Sequence, residues 1–250
     1  PNLLAAIARN LSFGLPDVAL FEVGSVFLRA AGQPATGEPT ALADEPTHAA
    51  IALHGSRPRR FGAAEPWDAF DAKGIALALA RALGATDVAV AATADVPYLH
   101  PGVGAAITVA GAVVGHLGEV HPDVRARFGI DQPVYLAELD LARFAEPGPV
   151  QMRPVPRYPA SSRDVSLLLP DAVPAAQVAA VIADAAEALV EHVALAEEYR
   201  DADKLGPDKK SQLWSITYRA ADRTLTDAEI ERAHEGIVAR LTAHLPAARR

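Results

Sequence analysis

A proline-rich run near residue 150 constrains the fold of this 250-residue chain more than any other feature. Prolines occupy positions 147, 149, 154 and 156, with a glycine at 148. Proline lacks a backbone N–H and fixes its own φ, so such a run interrupts helices and inner strands. We therefore predict one domain over 1–148, a linker over 149–156 and a second domain over 157–250.

The second domain alternates between strand and helix patterns. Thr226 and Glu229 have the spacing of a capping box at the start of its last helix, and the polar segment 201–210 is predicted to be a turn. The predicted order is strand 163–169, helix 174–188, strand 189–199, strand 211–219, helix 226–243 and a last strand at 247–250. This β-α-β-β-α-β order is the ferredoxin-like arrangement.

The first domain also mixes helices and strands, with a turn at His121 and Pro122 followed by a short helix. Gly111 suggests a hairpin, and the Gly/Pro/Thr-rich segment 30–46 is typical of a loop. Helical spacing covers 2–11 and 69–83, and β-rich segments lie at 18–28, 48–54, 87–91, 105–109, 113–118 and 134–139. The fold class predicted for both domains is α+β.

Composition excludes several classes of function. The chain has no cysteine, which removes disulfides, thiolate catalysis and cysteine-type zinc sites. No apolar run reaches the roughly 20 residues of a spanning helix and no signal peptide is evident, so we expect a cytoplasmic protein without a membrane contact. A net charge of −8 leaves no broad basic surface for DNA or RNA, so any RNA contact must be local. Because the chain starts at Pro1, we also expect it to be a piece of a longer protein.

Six short motifs occur in an order that resembles a known family. They are Val18 to Phe27 (VALFEVGSVF), Asp71 to Gly74 (DAKG), His100 to Gly102 (HPG), Gly118 to Pro122 (GEVHP), Arg163 with Asp164, and Asp222 to Asp227 (DRTLTD) followed by Ala233 to Glu235 (AHE). Together they resemble the bacterial phenylalanyl-tRNA synthetase beta subunits over nearly the whole chain.

This resemblance implies a fold, partners and cofactors. The fold would be a class II synthetase-like antiparallel sheet with flanking helices, followed by a ferredoxin-fold anticodon-binding domain. The partners would be an alpha subunit, in an α2β2 assembly, and tRNA(Phe). ATP and Mg²⁺ would be needed by the whole enzyme, whose alpha subunit does the chemistry, and neither by this chain.

The residues that would bind ATP in a class II core are missing. Such cores place one arginine after the Gly-x-Val-Phe-like strand and another after a Gly-Leu-Asp-like segment, to hold the phosphates. Here those positions are Leu28 and Leu141, and Arg29 and Arg143 come one and two residues late. Glu138 replaces the glycine that lets adenine approach. We predict that the first domain has no catalytic residue. The family's Arg-Ser after the HPG motif is likewise replaced, by Val-Gly at 103–104.

Candidate tRNA-binding residues lie in the second domain. Trp214, Ile216 and Tyr218 alternate along one strand and are predicted to face the helices, which leaves the other face of the sheet open and polar. The resemblance implies that this domain contacts tRNA near its anticodon. The residues we select, on the open face or near strand ends, are Arg163, Asp164, Ser166, Ser215, Thr217, Arg219 and Arg223. Arg223 has the alternative role of holding the turn before Thr226.

Other candidate sites have simpler explanations. The histidines at 100, 116 and 121 do not have metal-ligand spacing, and two of them precede proline in predicted turns, so we predict no metal site. Ser161 and Ser162 with Asp164 and His234 lack a nucleophile elbow. Arg57, Arg59 and Arg60 are interpreted as a solvated loop rather than a phosphate site.

Two alternatives to a beta-subunit module remain. A single-chain, organellar-type synthetase would join a working core to the ferredoxin-fold domain, but would need an arginine at position 28 or 141. A protein-interaction module without RNA contact fits the negative charge. Loss of RNA binding with rising salt would distinguish a tRNA-binding module from it.

Overall fold

The computed structural model describes residues 1–29, 42–58, 62–145, 152, 154–185 and 189–249. The chain divides into two compact units, Pro1–Gln151 and Met152–Arg250. Half of the predicted linker, together with Arg59 and Arg60, lies outside the described residues. Among the described residues, no helix has the length and apolar character needed to cross a membrane.

The first unit is built on a six-stranded antiparallel sheet. Its strands are β1 (Val18–Ser25), β2 (Thr47–His54), β5 (Val88–Ala92), β6 (Ala105–Val109), β7 (Ala112–Glu119) and β8 (Val134–Asp140), with β3 (Ser56–Arg57) and β4 (Glu65–Pro66) forming a separate pair. The order across the sheet is β1-β2-β8-β7-β6-β5. The predicted hairpin at Gly111 joins β6 to β7, with positive φ at Ala110 and Gly111, as a type I′ turn requires.

Helices cover both faces of this sheet. They are α1 (Asn2–Ser12), α2 (Ala69–Ala82) and α3 (Pro122–Ala126), with a 3₁₀ turn at Leu141–Arg143. One core lies under α1 and includes Ile7, Val18 and Val134. A second core lies under α2 and includes Ala76, Leu117 and Leu139. Because side chains alternate along a strand, the central strands β2 and β8 contribute to both cores.

The second unit has the ferredoxin-like order predicted from the sequence. Its elements are β9 (Ser161–Pro170), α4 (Ala175–Ala185), β10 (Val190–Tyr199), α5 (Ala202–Leu205), β11 (Lys209–Tyr218), α6 (Asp227–His244) and β12 (Ala248–Arg249). The strands pair in the order β10-β11-β9-β12. Trp214, Ile216 and Tyr218 are buried with alternate residues of β9, such as Leu167, and with residues of α6, which confirms the predicted orientation.

The segment 201–210 departs from the prediction. It contains the short helix α5, and β11 already begins at Lys209. Lys210 is 4% exposed, with its Nζ 3.5 Å from a carboxylate oxygen of Glu198. The polar side chains of this segment suggested a turn, but a local ion pair permits the lysine to be buried.

The first strand also ends earlier than predicted. Regular pairing of β1 stops at Ser25, and Leu28 forms an isolated bridge with Asp44.

Arg57, predicted to be a solvated loop residue, lies in β3 and contacts the carboxylates of Asp71, at 2.9 Å, and Glu65, at 2.5 Å. Its role in the described part of the chain is to join β3, β4 and the start of α2.

Candidate functional site

A pocket of about 330 Å³ opens on the α1 side of the first sheet. Strands β1, β2, β7 and β8 form its floor, and α1, α3 and the segment around Tyr98 form its walls. Most of the wall is apolar, with contributions from Leu3, Leu99, Val124 and Phe128. A concave, mostly apolar cavity with a few convergent polar groups is the usual form of a small-molecule site.

Strand register places a row of side chains across the pocket floor. Cross-strand partners follow one another from β1 through β2 and β8 to β7 as Glu22, Ala50, Glu138 and His116. All four line the pocket. Adjacent strands are roughly 4.8 Å apart, so the Cα atoms of the two glutamates are about 10 Å apart, with the small side chain of Ala50 between them.

Glu138 is the centre of the polar part of the pocket. Nδ1 of His48 donates to its Oε1 over 2.8 Å, and His48 lies on the same face of β2 as Ala50. Burial, the charge of Glu138 and a hydrogen bond to its carboxylate together raise the pKa of Tyr98 to about 12. At neutral pH the Tyr98 hydroxyl therefore keeps its proton and can donate a hydrogen bond to Glu138. Glu138 therefore brings a carboxylate into this pocket.

The described residues that line the pocket include no arginine and no lysine. Arg143 instead donates to Asp140, at 2.9 Å, and to the carbonyl of Val113. Arg125 lies in α3 and donates to the carbonyl of Asp131. Leu28 bonds through its backbone to Asp44. The pocket therefore presents two carboxylates, from Glu22 and Glu138, and no arginine or lysine side chain from the described lining.

The histidines considered as metal ligands act in turns or in the pocket. Nδ1 of His100 accepts from the backbone N–H of Gly102, and Nδ1 of His121 accepts from that of Asp123, as predicted for turn residues. His116 lines the pocket. Within the described ranges, no group of three or more histidine, aspartate or glutamate side chains has the arrangement of a metal site.

His234 serves the core of the second unit. It is 3% exposed, and its Nδ1 lies 3.0 Å from the hydroxyl of Tyr218. Burial lowers its pKa, so the imidazole is neutral at physiological pH. Ser162 lies on the other face of the sheet, where its Oγ forms a hydrogen bond with Oγ1 of Thr217 over 3.1 Å. This arrangement does not join His234 and Ser162 as a base and nucleophile.

The open face of the second sheet carries a ladder of hydroxyl groups. Pairing of β9 with β11 sets Ser166 opposite Leu213, Asp164 opposite Ser215, and Ser162 opposite Thr217. The hydroxyls of Ser166 and Ser211 are 3.4 Å apart. Four of the predicted residues therefore share one face: Asp164, Ser166, Ser215 and Thr217. The three hydroxyls can both donate and accept hydrogen bonds, and the Asp164 carboxylate can accept them; base edges and riboses offer partners for both.

Arg219 follows the end of β11, in line with this face. Its Nε donates to Glu191 over 2.8 Å, and its Nη1 donates to the carbonyl of Tyr158. At the opposite end of β11, Lys209 continues the same alternation and is exposed. The hydroxyl ladder thus has one cation in line with each end of β11.

The two remaining predicted residues lie elsewhere. Arg163 alternates with Asp164 and is on the helix side of β9, where its Nη2 donates to Asp227 at the start of α6 over 3.0 Å. Arg223 contacts Glu229 over 2.7 Å and Asp222 over 3.1 Å. Arg223 therefore holds the turn before Thr226, which was the alternative proposed for it.

Sequence reasoning missed His48, Tyr98 and Glu22. The signal available was the alternation of His48 with Ala50 along β2, but its meaning depends on pairing with β8, about 90 residues later. It also missed a polar chain that runs from the core to the surface, in which Trp214 donates to Gln212 over 3.1 Å and Gln212 donates to Glu198 over 2.7 Å.

Two different family models match the two parts of the chain. A family model described as the phenylalanyl tRNA synthetase beta chain CLM domain matches residues 1–141. One described as a ferredoxin-fold anticodon binding domain matches residues 156–250.

Curated relatives match almost the whole chain. Phenylalanine–tRNA ligase beta subunits from Symbiobacterium thermophilum, Moorella thermoacetica and Streptomyces avermitilis are each 36% identical to it, over 95%, 100% and 96% of its length. The chain spans only 26%, 30% and 31% of those proteins. A pyrrolysyl tRNA synthetase structure from Desulfitobacterium hafniense covers 58% of this chain, and 46% of its own, at 14% identity, with a TM-score of 0.43 that is too low to support a conclusion.

The contact between Arg223 and Glu229 predicts a measurable pKa. The Arg223 hydrogen bond, followed by bonds from Thr226, lowers the pKa of Glu229 to about 2 from its usual 4.5. Because the folded value is depressed, the stabilising contribution is complete above about pH 4.5 and is lost as pH falls towards 2. In Arg223→Gln, NMR titration of the Glu229 carboxyl should give a midpoint closer to 4.5, whereas Arg232→Gln on the same helix should leave it unchanged. An unchanged midpoint in Arg223→Gln would contradict the assignment of Arg223 to this turn.

Proposed function

Because the chain belongs to the phenylalanyl-tRNA synthetase beta chain family, we propose that it is a non-catalytic portion of a phenylalanine–tRNA ligase beta subunit. Its first unit supports the alpha subunit, and its second unit binds tRNA(Phe) near the anticodon. The observation that carries the non-catalytic assignment is the pocket in the first unit, whose described lining has carboxylates where phosphate binding requires cations.

ATP activation needs positively charged groups held beside the phosphates throughout the reaction. A carboxylate near a phosphate is repelled by a few kcal/mol at about 4 Å for an effective dielectric constant near 20. Glu22 and Glu138 line the pocket without an intervening arginine or lysine among the described lining residues. Position 141 is a leucine, and the nearest arginine in sequence, Arg143, forms an ion pair with Asp140. The single-chain synthetase alternative would require the arginines that this chain lacks.

We predict that the purified chain does not bind Mg·ATP. Equilibrium dialysis with labelled ATP should show no saturable binding up to millimolar concentrations, because two carboxylates repel the phosphates. Ala50→Leu, which fills the pocket floor, is the matched control and should give the same result. Binding that approaches one equivalent per chain and is lost in Ala50→Leu would contradict the non-catalytic assignment.

Support for scaffolding comes from the edge of the first sheet. Strand β1 is at that edge and pairs only with β2 within the described sheet. On the face opposite the pocket it exposes Phe21, at 78%, and Val23, at 58%. An exposed apolar patch on an unpaired strand edge is typical of a protein contact. An α2β2 assembly, whose alpha subunit uses ATP and Mg²⁺, and a cytoplasmic location are part of this proposal.

Support for RNA binding comes from the hydroxyl ladder of the second unit. Asp164, Ser166, Ser215 and Thr217 offer hydrogen bonds to bases and riboses. The cations in line with β11, Lys209 and Arg219, are at its two ends. With two cations beside the ladder, binding would release about two counterions, so tRNA affinity should fall as salt rises, with a shallow slope.

The predicted RNA contact can be tested at Ser215. Adding a carboxylate there in Ser215→Glu should weaken tRNA(Phe) binding about tenfold or more, because it would face the RNA in the middle of the ladder. Ala243→Glu adds the same charge at an exposed position of α6 and should leave affinity unchanged. In filter binding, the slope of log K against log salt should be about 2 or less in magnitude. Equal affinity of both variants, or no tRNA binding at low salt, would favour the protein-interaction module.

A further inference from the structure

Strand β1 is a long sheet edge without the usual protection against further pairing. It pairs with β2 over eight residues, from Val18 to Ser25, with no register shift, and its outer side has no strand partner within the described sheet. The strand contains no proline and no lysine, and its single charged residue is Glu22. Native proteins protect exposed edges with such residues, with bulges or with short strands, because unpaired N–H and C=O groups attract another strand.

The other edges of the two large sheets have this protection in the described part of the chain. Strand β10 has register shifts between Val190 and His192 and between Leu195 and Glu197. It also carries three glutamates in its sequence VEHVALAEEY. Strand β5 has only five residues and β12 only two. By this contrast, β1 is the edge suited to a further strand.

The side chains of β1 define what a partner strand must carry. On the face opposite the pocket, Phe21 is 78% exposed and Val23 is 58% exposed. On the pocket face, the Glu22 carboxylate accepts a hydrogen bond from the Asn2 amide over 3.2 Å and has no ion pair among the described residues. The two apolar side chains are stabilised by burial against other apolar groups, and the carboxylate by a cation.

We propose that an extended segment of the alpha subunit adds to the first sheet as a strand beside β1. The identity of this partner rests on the proposed function, whereas the strand pairing rests on the edge itself. The added strand places apolar side chains beside Phe21 and Val23 and a lysine or arginine beside Glu22, because opposite charges on neighbouring strands attract. Backbone hydrogen bonds hold the strand, and the alternating side chains select it.

A second copy of this chain fits the same edge less well. In an antiparallel pair of two β1 strands, the register that sets Phe21 opposite Val23 also sets the two Glu22 side chains opposite each other. Like charges directly opposite are destabilising. A different chain with a cation at that position avoids this repulsion, so charge complementarity favours a heterologous partner.

Amide hydrogen exchange tests the strand pairing directly. The purified chain is mixed with the alpha subunit encoded in the same genome, and sedimentation velocity follows complex formation. Within 18–25, the amides that point away from β2 should exchange about tenfold or more slowly in the complex, because they become hydrogen-bonded. A complex that leaves these amides unprotected would overturn strand addition but not the scaffolding role, whereas the absence of a complex would overturn both.

Variants locate the apolar contact. Phe21→Lys should weaken binding of the alpha subunit about tenfold or more, because a charge replaces the apolar side chain at the centre of the contact. Phe70→Lys is the matched control, since Phe70 is 76% exposed on α2, and should leave affinity unchanged. Thermal unfolding checks that both variants are folded. Equal affinity of folded Phe21→Lys and the unchanged chain would overturn the proposal.

Charge reversal tests the cation expected opposite Glu22. Glu22→Lys should weaken the complex about tenfold or more, because it sets two cations side by side. Glu235→Lys makes the same change at an exposed position of α6 and should have no effect. Equal affinity of both variants would contradict the proposed cation. A dimer of the chain alone that Phe21→Lys disrupts would assign the edge to a second copy and overturn the proposal.

Discussion

The pairing of β2 with β8 determines what the first unit can do. This pairing joins segments about 90 residues apart and sets Ala50 opposite Glu138, so that Glu138 faces the pocket and Leu139 faces the opposite core. A shift of one residue would exchange these two side chains. The same register brings His48 within hydrogen-bond distance of Glu138 and leaves the pocket floor acidic. Strand pairing therefore gives the pocket of the first unit a floor with two carboxylates, Glu22 and Glu138.

The two units show how far a fold constrains function. In the first, the sheet forms the floor of a pocket that holds two carboxylates and no arginine or lysine side chain among its described lining residues. In the second, the sheet presents hydroxyls between cations at the two ends of a strand. In both cases the fold supplies a concave or open face, and the particular side chains determine which ligands it accepts.

Periodicity predicted the local structure well. Alternation of Trp214, Ile216 and Tyr218 correctly indicated which face of β11 is buried, and Thr226 with Glu229 correctly marked the start of α6. The same alternation places Arg163 with Val165 on the helix side, which already argues against a contact between Arg163 and a ligand on the open face. Contacts such as His48 with Glu138 depend on strand pairing between distant segments, which local patterns do not encode. The partner of Arg223 depends on the geometry of one turn, and that is also invisible to periodicity.

Pyrophosphate exchange tests the central claim, that this chain retains a synthetase-like sheet without its chemistry. The assay is phenylalanine-dependent exchange of labelled pyrophosphate into ATP, measured with the purified chain and Mg²⁺. We expect a rate indistinguishable from background, because Leu28 and Leu141 stand at the positions where the proposed function requires phosphate-binding arginines. Exchange above background that disappears in Arg29→Ala or Arg143→Ala would contradict it.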